Sequence, residues 1–406
     1  MHASYDLVVF GATSFVGKIL CRHLTARHGT DGASLRWAIA GRSQPKLDAL
    51  VAELGALDTI VADAHSANDM DALAAAAKVV VSTVGPYALY GSELVRACAE
   101  AGTDYCDLTG EPQWMRSMID EHAETASASG ARIVHACGFD SIPSDMGVWF
   151  TQRESIERYG EPCTTIAMRV KAMKGGASGG TIASMVNALD EVRQKPELRK
   201  ILTNPYTLAP DGMRSGVRQP NVNKPTQDAA TGGWAAPFVM ASVNTKIVHR
   251  SHALLGHPWS TDFLYDEAML VGEGPAGMAK ATALSGGLGG FMAGMAFSPS
   301  RTLLSRFLPE PGEGPTPEQQ RSGYFDIRFF GTTRSGFEIV TKVTGQGDPG
   351  YGSTAKMLGE AAAVLLDTRG IGKGGFWTPS TVMAKPLFNA LTRHADIEFS
   401  ELIPNL

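Results

Sequence analysis

The stretch VVFGATSFVGK (residues 8–18) decides the fold of the first third of the chain. A short apolar run ends at Gly11, and the pattern after it is that of a helix. Gly11 permits a tight turn, and Gly17 lets the helix lie close against the strand, as in the first strand–helix turn of dinucleotide-binding sheets. Ser14 stands where such turns usually carry their middle glycine. The stretch predicts a pyrophosphate site at the helix N-terminus, to which Ser14 would donate its hydroxyl proton.

Strand and helix patterns then alternate as far as about residue 138. Six short apolar runs are each followed by a segment with helical spacing, and most of these runs are continuously apolar, as strands buried on both faces are. This order predicts an α/β fold with a Rossmann-type doubly wound parallel sheet. We assign residues 1–140 to this dinucleotide-binding domain.

The remainder of the chain predicts a second domain of α+β type. TTIAMRVKAM and DFLYDEAMLVGE each predict a strand, and YFDIRFFGT with GFEIVTKVTG predicts an antiparallel hairpin. We therefore expect residues 141–370 to form a substrate or dimerisation domain around a mixed or antiparallel sheet, with an apolar segment at 281–308. Residues 371–406 predict a C-terminal helix and strand that return to one of the two domains, the Rossmann domain included.

Composition narrows the functional class. The chain has 406 residues, 44 % of them hydrophobic, which suits two domains with sizeable cores. A net charge of −5 gives no indication of nucleic-acid binding. The five cysteines are scattered without metal-ligand spacing, so we expect reduced thiols in a cytoplasmic protein and no metal site.

The end of the second predicted strand indicates which dinucleotide is bound. NAD-type sites carry an acidic residue there for the ribose 2′-hydroxyl. Here the strand ends in Gly41, Arg42 and Ser43, with no acid. Arg42 would pair with a 2′-phosphate and Ser43 would hydrogen-bond to it, so NADP(H) is predicted. Asp63, after the third strand, is either at the adenine edge or a simple cap or loop aspartate.

The fourth predicted strand ends in a turn that lies, in this fold, beside the nicotinamide half of the cofactor. The turn comprises Thr83, Val84, Gly85 and Pro86, followed by Tyr87. Tyr87 is either a proton donor or only a packing wall.

A polar group follows the sixth predicted strand. Asp140, Ser141 and Ser144 cluster at its carboxyl end, where ligands bind in open α/β sheets. The two serines are candidates for holding a developing enolate oxygen, with helix capping as the alternative. Together with Tyr87 they are the predicted catalytic residues.

Residues 281–297, ATALSGGLGGFMAGMAF, carry no charge over 17 positions. Five glycines among them disfavour a spanning helix. One interpretation is a buried helix or a homodimer contact. The other is interfacial insertion on the inner face of the membrane, with arginine side chains at the headgroups. The apolar side chains of that hypothesis are Phe291, Met292, Met295 and Phe297, and the arginines are Arg301 and Arg306.

The chain as a whole resembles the saccharopine dehydrogenase-like oxidoreductases, in particular the bacterial trans-acting enoyl reductases. The motifs that carry the resemblance are VVFGATSFVGK, AIAGRSQPKL, STVGPYALYG, DYCDLTGEPQWM, GFDSIPSDMG, GGASGGTIASM, GPTPEQQRSGYFDIRFFG and GFWTPSTVMAKPLFNAL. In the actinobacterial branch the resemblance implies reduction, in trans, of an enoyl group on an acyl chain bound to a polyketide synthase. Two alternatives stay open: a saccharopine-type C–N dehydrogenase, and a non-catalytic NADP-binding protein associated with a lipid surface.

The predicted cofactor contacts lie in the glycine turn and at the ends of the second, third and fourth predicted strands. They are Gly11, Thr13, Ser14, Phe15, Val16, Gly17, Gly41, Arg42, Ser43, Asp63, Thr83, Val84, Gly85 and Pro86.

Overall fold

The computed structural model describes most of the chain, namely residues 3–175, 179–214, 216–296, 300–301 and 314–402. Its strands are β1 (Tyr5–Phe10), β2 (Trp37–Gly41), β3 (Asp58–Val61), β4 (Ala77–Ser82), β5 (Asp104–Asp107), β6 (Arg132–Val134), β7 (Cys163–Lys174), β8 (Thr226–Gln227), β9 (Trp234–Pro237), β10 (Leu264–Gly272), β11 (Tyr324–Thr333), β12 (Glu338–Gln346), β13 (Gly375–Trp377) and β14 (Ile397–Glu401).

Helices alternate with the first six strands and surround both sheets. In the described residues they are α1 (Phe15–His28), α2 (Gln44–Leu54), α3 (Ala67–Ala76), α4 (Tyr87–Tyr90), α5 (Ser92–Ala101), α6 (Pro112–Ser129), α7 (Ile142–Tyr159), α8 (Gly179–Gln194), α9 (Leu198–Thr203), α10 (Ala241–Leu254), α11 (Gly274–Ala296), α12 (Pro317–Ser322), α13 (Thr354–Asp367), α14 (Pro379–Val382) and α15 (Ala384–His394). A π-helical turn at Pro349–Ser353 precedes α13.

The first sheet has seven parallel strands in the order β13-β6-β5-β4-β1-β2-β3. Strand β1 therefore has β2 on one side and β4 on the other, and the chain reverses its winding direction between β1 and β4. Crevices for ligands open at such a reversal, outside the carboxyl ends of the strands. The predicted Rossmann-type sheet is confirmed, and a seventh strand, β13, joins it from the far end of the chain.

The second sheet is mixed, as predicted. Its order is β14-β12-β11-β7-β10-β9-β8, and among the strand pairs in the described residues only β7 with β10 is parallel. The predicted hairpin is confirmed as β11 paired with β12, with Phe329 opposite Thr341. Its strands alternate buried and half-buried residues because one face packs on the core.

The C-terminal segment contributes to both sheets. Strand β13 lies beside β6 in the first sheet, with Phe376 opposite Ile133. Strand β14 lies beside β12 in the second, with Phe399 opposite Val343. The last part of the chain therefore ties the two sheets together.

Helix α11 contains most of the apolar segment and is largely exposed. Gly277, Ala281 and Met295 are buried, whereas Met278 and Leu284 are 51 % and 46 % exposed. Arg301 is in an ion pair with Asp190 at 2.8 Å. Phe297 and Arg306 lie outside the described residues. Across the described ranges, no helix has both the length and the apolar character needed to cross a membrane.

Candidate cofactor and active site

The turn from β1 into α1 is built for close approach of backbone to a ligand. Gly11 has φ +84°, a conformation that L side chains rarely adopt. A Cβ on Gly17 would lie 2.2 Å from the Gly11 carbonyl oxygen, so only glycine fits there. The backbone N–H groups of Thr13, Phe15 and Val16 have no acceptor among the described residues. Three free donors at the positive end of a helix form an anion site.

The hydroxyl of Ser14 has a different task from the one the sequence predicts. It accepts a hydrogen bond from the Gly17 N–H at 2.9 Å and thereby caps α1. It also lies 3.0 Å from the Thr83 hydroxyl, which donates to the Gly11 carbonyl at 2.9 Å. Because Thr83 has used its proton, Ser14 donates to Thr83. Its side chain therefore joins the loops after β1 and β4 instead of pointing a free donor at phosphate.

The end of β2 offers an uncommitted positive charge. Arg42 is exposed and has no side-chain partner within the described residues. Gly41 is buried, and a Cβ there would lie 3.6 Å from the Thr13 hydroxyl oxygen. Ser43 is half-buried and, although it precedes α2, its hydroxyl does not cap that helix. A phosphate beside the Thr13 turn would meet Arg42 without breaking an existing ion pair.

Asp63 lies beyond the end of β3, half-buried. Its carboxylate accepts the His65 N–H at 3.0 Å, and its own N–H donates to Asp69 at 2.9 Å. These are the contacts of a loop aspartate, which leave its second carboxylate oxygen for a ligand.

The loop after β4 brings Val84 against the glycine turn. A Cβ on Gly11 would lie 2.6 Å from a Val84 methyl carbon, so the two loops are in close contact at the switch point. Gly85 is exposed, and the Gly85–Pro86 peptide bond is cis.

Tyr87, at the start of α4, is buried and does not present a free proton. Its hydroxyl donates to the Ser82 carbonyl at 2.9 Å and accepts the Leu108 N–H at 3.4 Å. Its ring packs on Trp114, with centroids 5.4 Å apart, and burial raises the pKa of the phenol well above 10. This geometry favours the packing interpretation over proton donation.

Two carboxylates hold the neighbouring loops in place. Asp107 accepts from the Tyr105 hydroxyl, from His135 Nδ1 at 2.7 Å and from the Thr109 and Ala136 N–H groups. Glu111 accepts from the Tyr87 and Ala88 N–H groups and from the Ser184 hydroxyl. Every oxygen of the two carboxylates accepts a hydrogen bond from a neighbouring group, so both act as structural clamps.

Ser141 and Ser144 enter a buried network that the sequence does not reveal. Ser141 does not cap α7 with its side chain; it donates to Asn244 at 3.2 Å. Asn244 in turn donates to Glu267 at 2.9 Å. Glu267 also accepts from the Tyr265 hydroxyl at 2.8 Å and bonds to Ser144. Burial raises the pKa of Glu267 to about 7, against the lowering effect of these bonds.

Asp140 is unlike the other acids of this edge. It is half-buried in the loop between β6 and α7, and its carboxylate has no hydrogen-bond or ionic partner among the described residues. An oxygen of that carboxylate lies 3.4 Å from where a Cβ on Gly110 would be, so it faces the loop after β5. Burial raises its pKa to about 6.

Comparison with known proteins identifies the family. The family model for the saccharopine dehydrogenase NADP-binding domain matches residues 7–134. A trans-acting enoyl reductase from Mycobacterium bovis BCG is 37 % identical over 403 residues, which cover 95 % of each chain. A Mycobacterium tuberculosis H37Rv protein, assigned the same activity provisionally by its name, is 40 % identical over the same share. The chain belongs to the saccharopine dehydrogenase-like family of trans-acting enoyl reductases.

Membership of this family fixes the cofactor class and agrees with the fold. The chain is an oxidoreductase of NADP-binding type, and its cofactor is NADP(H). Apo saccharopine dehydrogenase (L-Glu forming) from Saccharomyces cerevisiae has the same fold, with a TM-score of 0.54 over 98 % of this chain and 100 % of its own at 12 % identity.

The sequence predicts part of the cofactor site but not the buried network around Ser141 and Ser144. The predicted contacts after β1, β2 and β4 do meet at the carboxyl edge of the first sheet. Asn244, Tyr265 and Glu267 were not predicted, because they lie over 100 residues after Ser141. The one available signal was the pair of acids in the strand pattern FLYDEAML, since charges inside an apolar strand indicate a buried polar contact.

Proposed function

We propose that this protein reduces the carbon–carbon double bond of an α,β-unsaturated thioester, with NADPH as the hydride source. The observation that carries the proposal is the 37 % identity, over 95 % of the chain, to relatives named trans-acting enoyl reductases. We further propose that the acyl chain is carried by a polyketide synthase or another carrier in lipid or polyketide biosynthesis.

The proposed cofactor contacts follow from the free groups at the carboxyl edge. The N–H groups of Thr13, Phe15 and Val16 would bind the pyrophosphate, and Gly11 and Gly17 leave room for it. Arg42 and Ser43 would bind the 2′-phosphate, and Asp63 would meet the adenine edge. The nicotinamide half would lie on the loop formed by Thr83, Val84, Gly85 and Pro86. When bound, NADPH supplies a hydride, and the protein orients the acceptor carbon of the substrate toward it.

Two buried arginines of the second half argue against the C–N dehydrogenase alternative. Amino-acid substrates need carboxylate clamps, which are usually arginines. Arg169 is buried between Asp228 and Asp266, at 2.8 and 3.0 Å. Arg250 donates to the carbonyls of Leu208 and Phe376. Neither guanidinium is free for a substrate carboxylate.

The predicted peripheral membrane contact and homodimer stay proposals. What supports them is the exposure of α11: Met278 and Leu284 are 51 % and 46 % exposed, and a Cβ on Gly286, Gly287, Gly289 or Gly290 would touch nothing within 4 Å.

The experiment that tests the function has a binding step and a reaction step. Purified protein is titrated with NADPH and with NADH by fluorescence, and NADPH oxidation is then followed with trans-2-enoyl thioesters of increasing chain length. We expect tight NADPH binding, poor NADH binding and consumption of the enoyl thioester. Arg42→Ala should weaken NADPH binding by about 10- to 100-fold, since a charge-assisted bond contributes about 1.5–3 kcal/mol, and should leave NADH unchanged.

The matched control is Arg36→Ala, at the opposite end of β2. Arg36 stacks over the Tyr5 ring at 5.6 Å, far from the carboxyl edge, so NADPH binding should stay at the wild-type value. If the protein bound NADPH but failed to oxidise it with any of the enoyl thioesters, the proposed reaction would be contradicted and the non-catalytic alternative favoured.

A further inference from the structure

We propose that Asp140 is the general acid of this site, the group that protonates the α-carbon of the acyl chain once the hydride has reached the β-carbon. The inference rests on the proposed function and replaces Tyr87 as the candidate proton donor.

Asp140 lies at the carboxyl edge of the first sheet. It follows β6, and its carboxylate faces Gly110 in the loop after β5. Strands β5 and β6 follow β4 in the parallel sheet, so both loops lie at the carboxyl edge on the nicotinamide side of the switch point. A planar enoyl group placed on this part of the edge would have Asp140 beside it.

The other candidate side chains at this edge are already bonded to protein groups. Each of the other candidate donors gives its proton to a protein acceptor: Tyr87 to the Ser82 carbonyl, Ser141 to Asn244, and Ser144 to the Glu267 network. The neighbouring carboxylates are held as well. Asp107 accepts four hydrogen bonds, Glu111 accepts three, and Asp145 accepts from Ser251 and from the Ser380 N–H.

Asp140 alone among these acids has no partner in the described residues. Within the described residues, both oxygens of this half-buried carboxyl group are therefore available to a substrate. Burial also raises the pKa of Asp140 to about 6, and no charged neighbour contributes to that shift. An acid with a pKa close to neutral donates most effectively at neutral pH.

The proposed step conserves atoms and electrons. The hydride forms a C–H bond at the β-carbon, and the electron pair of the double bond moves toward the thioester carbonyl to give an enolate. The enolate reforms the carbonyl while its α-carbon takes the proton from the Asp140 carboxyl group. Asp140 is left as a carboxylate, and water reprotonates it. The acyl chain gains two hydrogens, one from NADPH and one from Asp140.

The test compares wild type with Asp140→Asn in deuterium oxide. Wild type should place one deuteron on a single face of the α-carbon, because a fixed side chain delivers it; mass spectrometry and NMR of the product read this. Asp140→Asn should bind NADPH like wild type, keep its melting temperature and turn over about 10²- to 10⁴-fold more slowly. Its residual product should carry deuterium on both faces, since bulk water then supplies the proton.

The pH profile gives a second readout, and Asp140→Glu a second variant. Wild-type kcat/KM should fall as pH rises through the Asp140 pKa, and this limb should disappear in Asp140→Asn. Asp140→Glu keeps an acid one methylene away and should recover part of the rate and of the facial selectivity. An Asp140→Asn enzyme within a few-fold of wild type, with an unchanged face, would overturn the inference and leave the proposed function intact. A wild type inactive on every enoyl thioester would overturn both.

Discussion

The two ends of the carboxyl edge are built in contrasting ways. The cofactor end, after β1 and β2, consists of backbone N–H groups, glycines and one exposed arginine that has no partner in the described residues. The reaction end, after β5 and β6, consists of buried acids, almost all of which are saturated with hydrogen bonds. One end presents unused donors to solvent, and the other has used its polar groups on itself.

This difference indicates what each end must do. A dinucleotide brings its own charges, so its cradle needs only free donors and space. A reacting acyl chain brings little charge, and the groups around it must be held in fixed positions. A substitution at the cofactor end should therefore affect binding, whereas one at the reaction end should affect stability or turnover.

The largest expected effect is at Gly17. Gly17→Ala would place a Cβ 2.2 Å from the Gly11 carbonyl oxygen, so α1 must move away from the turn. We expect NADPH affinity to fall by about 100-fold, because losing one or two charge-assisted hydrogen bonds from the turn to the pyrophosphate costs about 3 kcal/mol. Fluorescence titration measures this.

Gly286→Ala, in the middle of α11, is the matched control. A Cβ there meets nothing within 4 Å, so alanine should raise the free energy of unfolding by about 0.5–1 kcal/mol and leave NADPH binding unchanged. If Gly17→Ala bound NADPH like wild type, the cradle would not depend on the close turn, and the contrast between the two ends would fail.

The next effect concerns pH and separates two kinds of buried group near the reaction end. Burial raises the pKa of Glu267 to about 7, so as pH rises from about 4 to 7 the unfolded chain loses this proton while the folded protein keeps it. Its contribution to stability falls over that range. Glu267→Gln removes this penalty and should be about 1–3 kcal/mol more stable than wild type at pH 8, with the difference vanishing near pH 4.

Buried histidines on α10 should show the opposite slope. Burial lowers the pKa of His249 to about 3 and that of His252 to about 4. The unfolded chain binds these protons from about pH 6.5 downward and the fold does not, so stability is lost as pH falls. His249→Phe should flatten that acid limb. Denaturant unfolding at pH 4, 6 and 8 measures the free energy of unfolding of wild type and of both variants. If a variant's free energy changed with pH in parallel with that of wild type, the substituted group would not cause the pH dependence assigned to it.

The smallest effect is expected at Tyr87. Tyr87→Phe leaves the Ser82 carbonyl and the Leu108 N–H without their partner, which should lower the free energy of unfolding by about 1–2 kcal/mol. NADPH binding and turnover should stay within a few-fold of wild type, because the hydroxyl does not face a ligand. Loss of a general acid lowers turnover by about two orders of magnitude or more. If turnover dropped by that much while stability stayed unchanged, Tyr87 would again be the candidate proton donor.

Much of the cofactor end could be predicted from the sequence, because its parts are local. The Gly11–Gly17 spacing and the missing acid before Arg42 each lie within a few residues, and a regular strand–helix alternation places them at one edge. The role of Ser14 could not be predicted, since its partner Thr83 is 69 residues away. The motif is equally compatible with a serine hydroxyl that donates to phosphate and with one that caps α1.

The reaction end was predicted poorly for the same reason. Ser141 and Ser144 resemble helix caps in the sequence, and only the fold shows them bonded to α10 and β10. Strand β13 was missed because three residues carry no periodicity, although tertiary pairing with β6 holds them in the sheet. Contacts across such separations are decided by packing and not by local pattern.

The late position of β13 affects how the chain must fold as it is synthesised. Residues 1–134 contain six of the seven strands of the first sheet, but the free edge of β6 pairs only when Gly375–Trp377 has emerged, long after the rest of that sheet. Arg132 on that edge also awaits the carbonyls of Leu365 and Thr368. During translation the edge of β6 therefore stays open to pairing with other chains, and Arg132 has Asp104 of the same half, 2.5 Å away, as its partner until those carbonyls arrive.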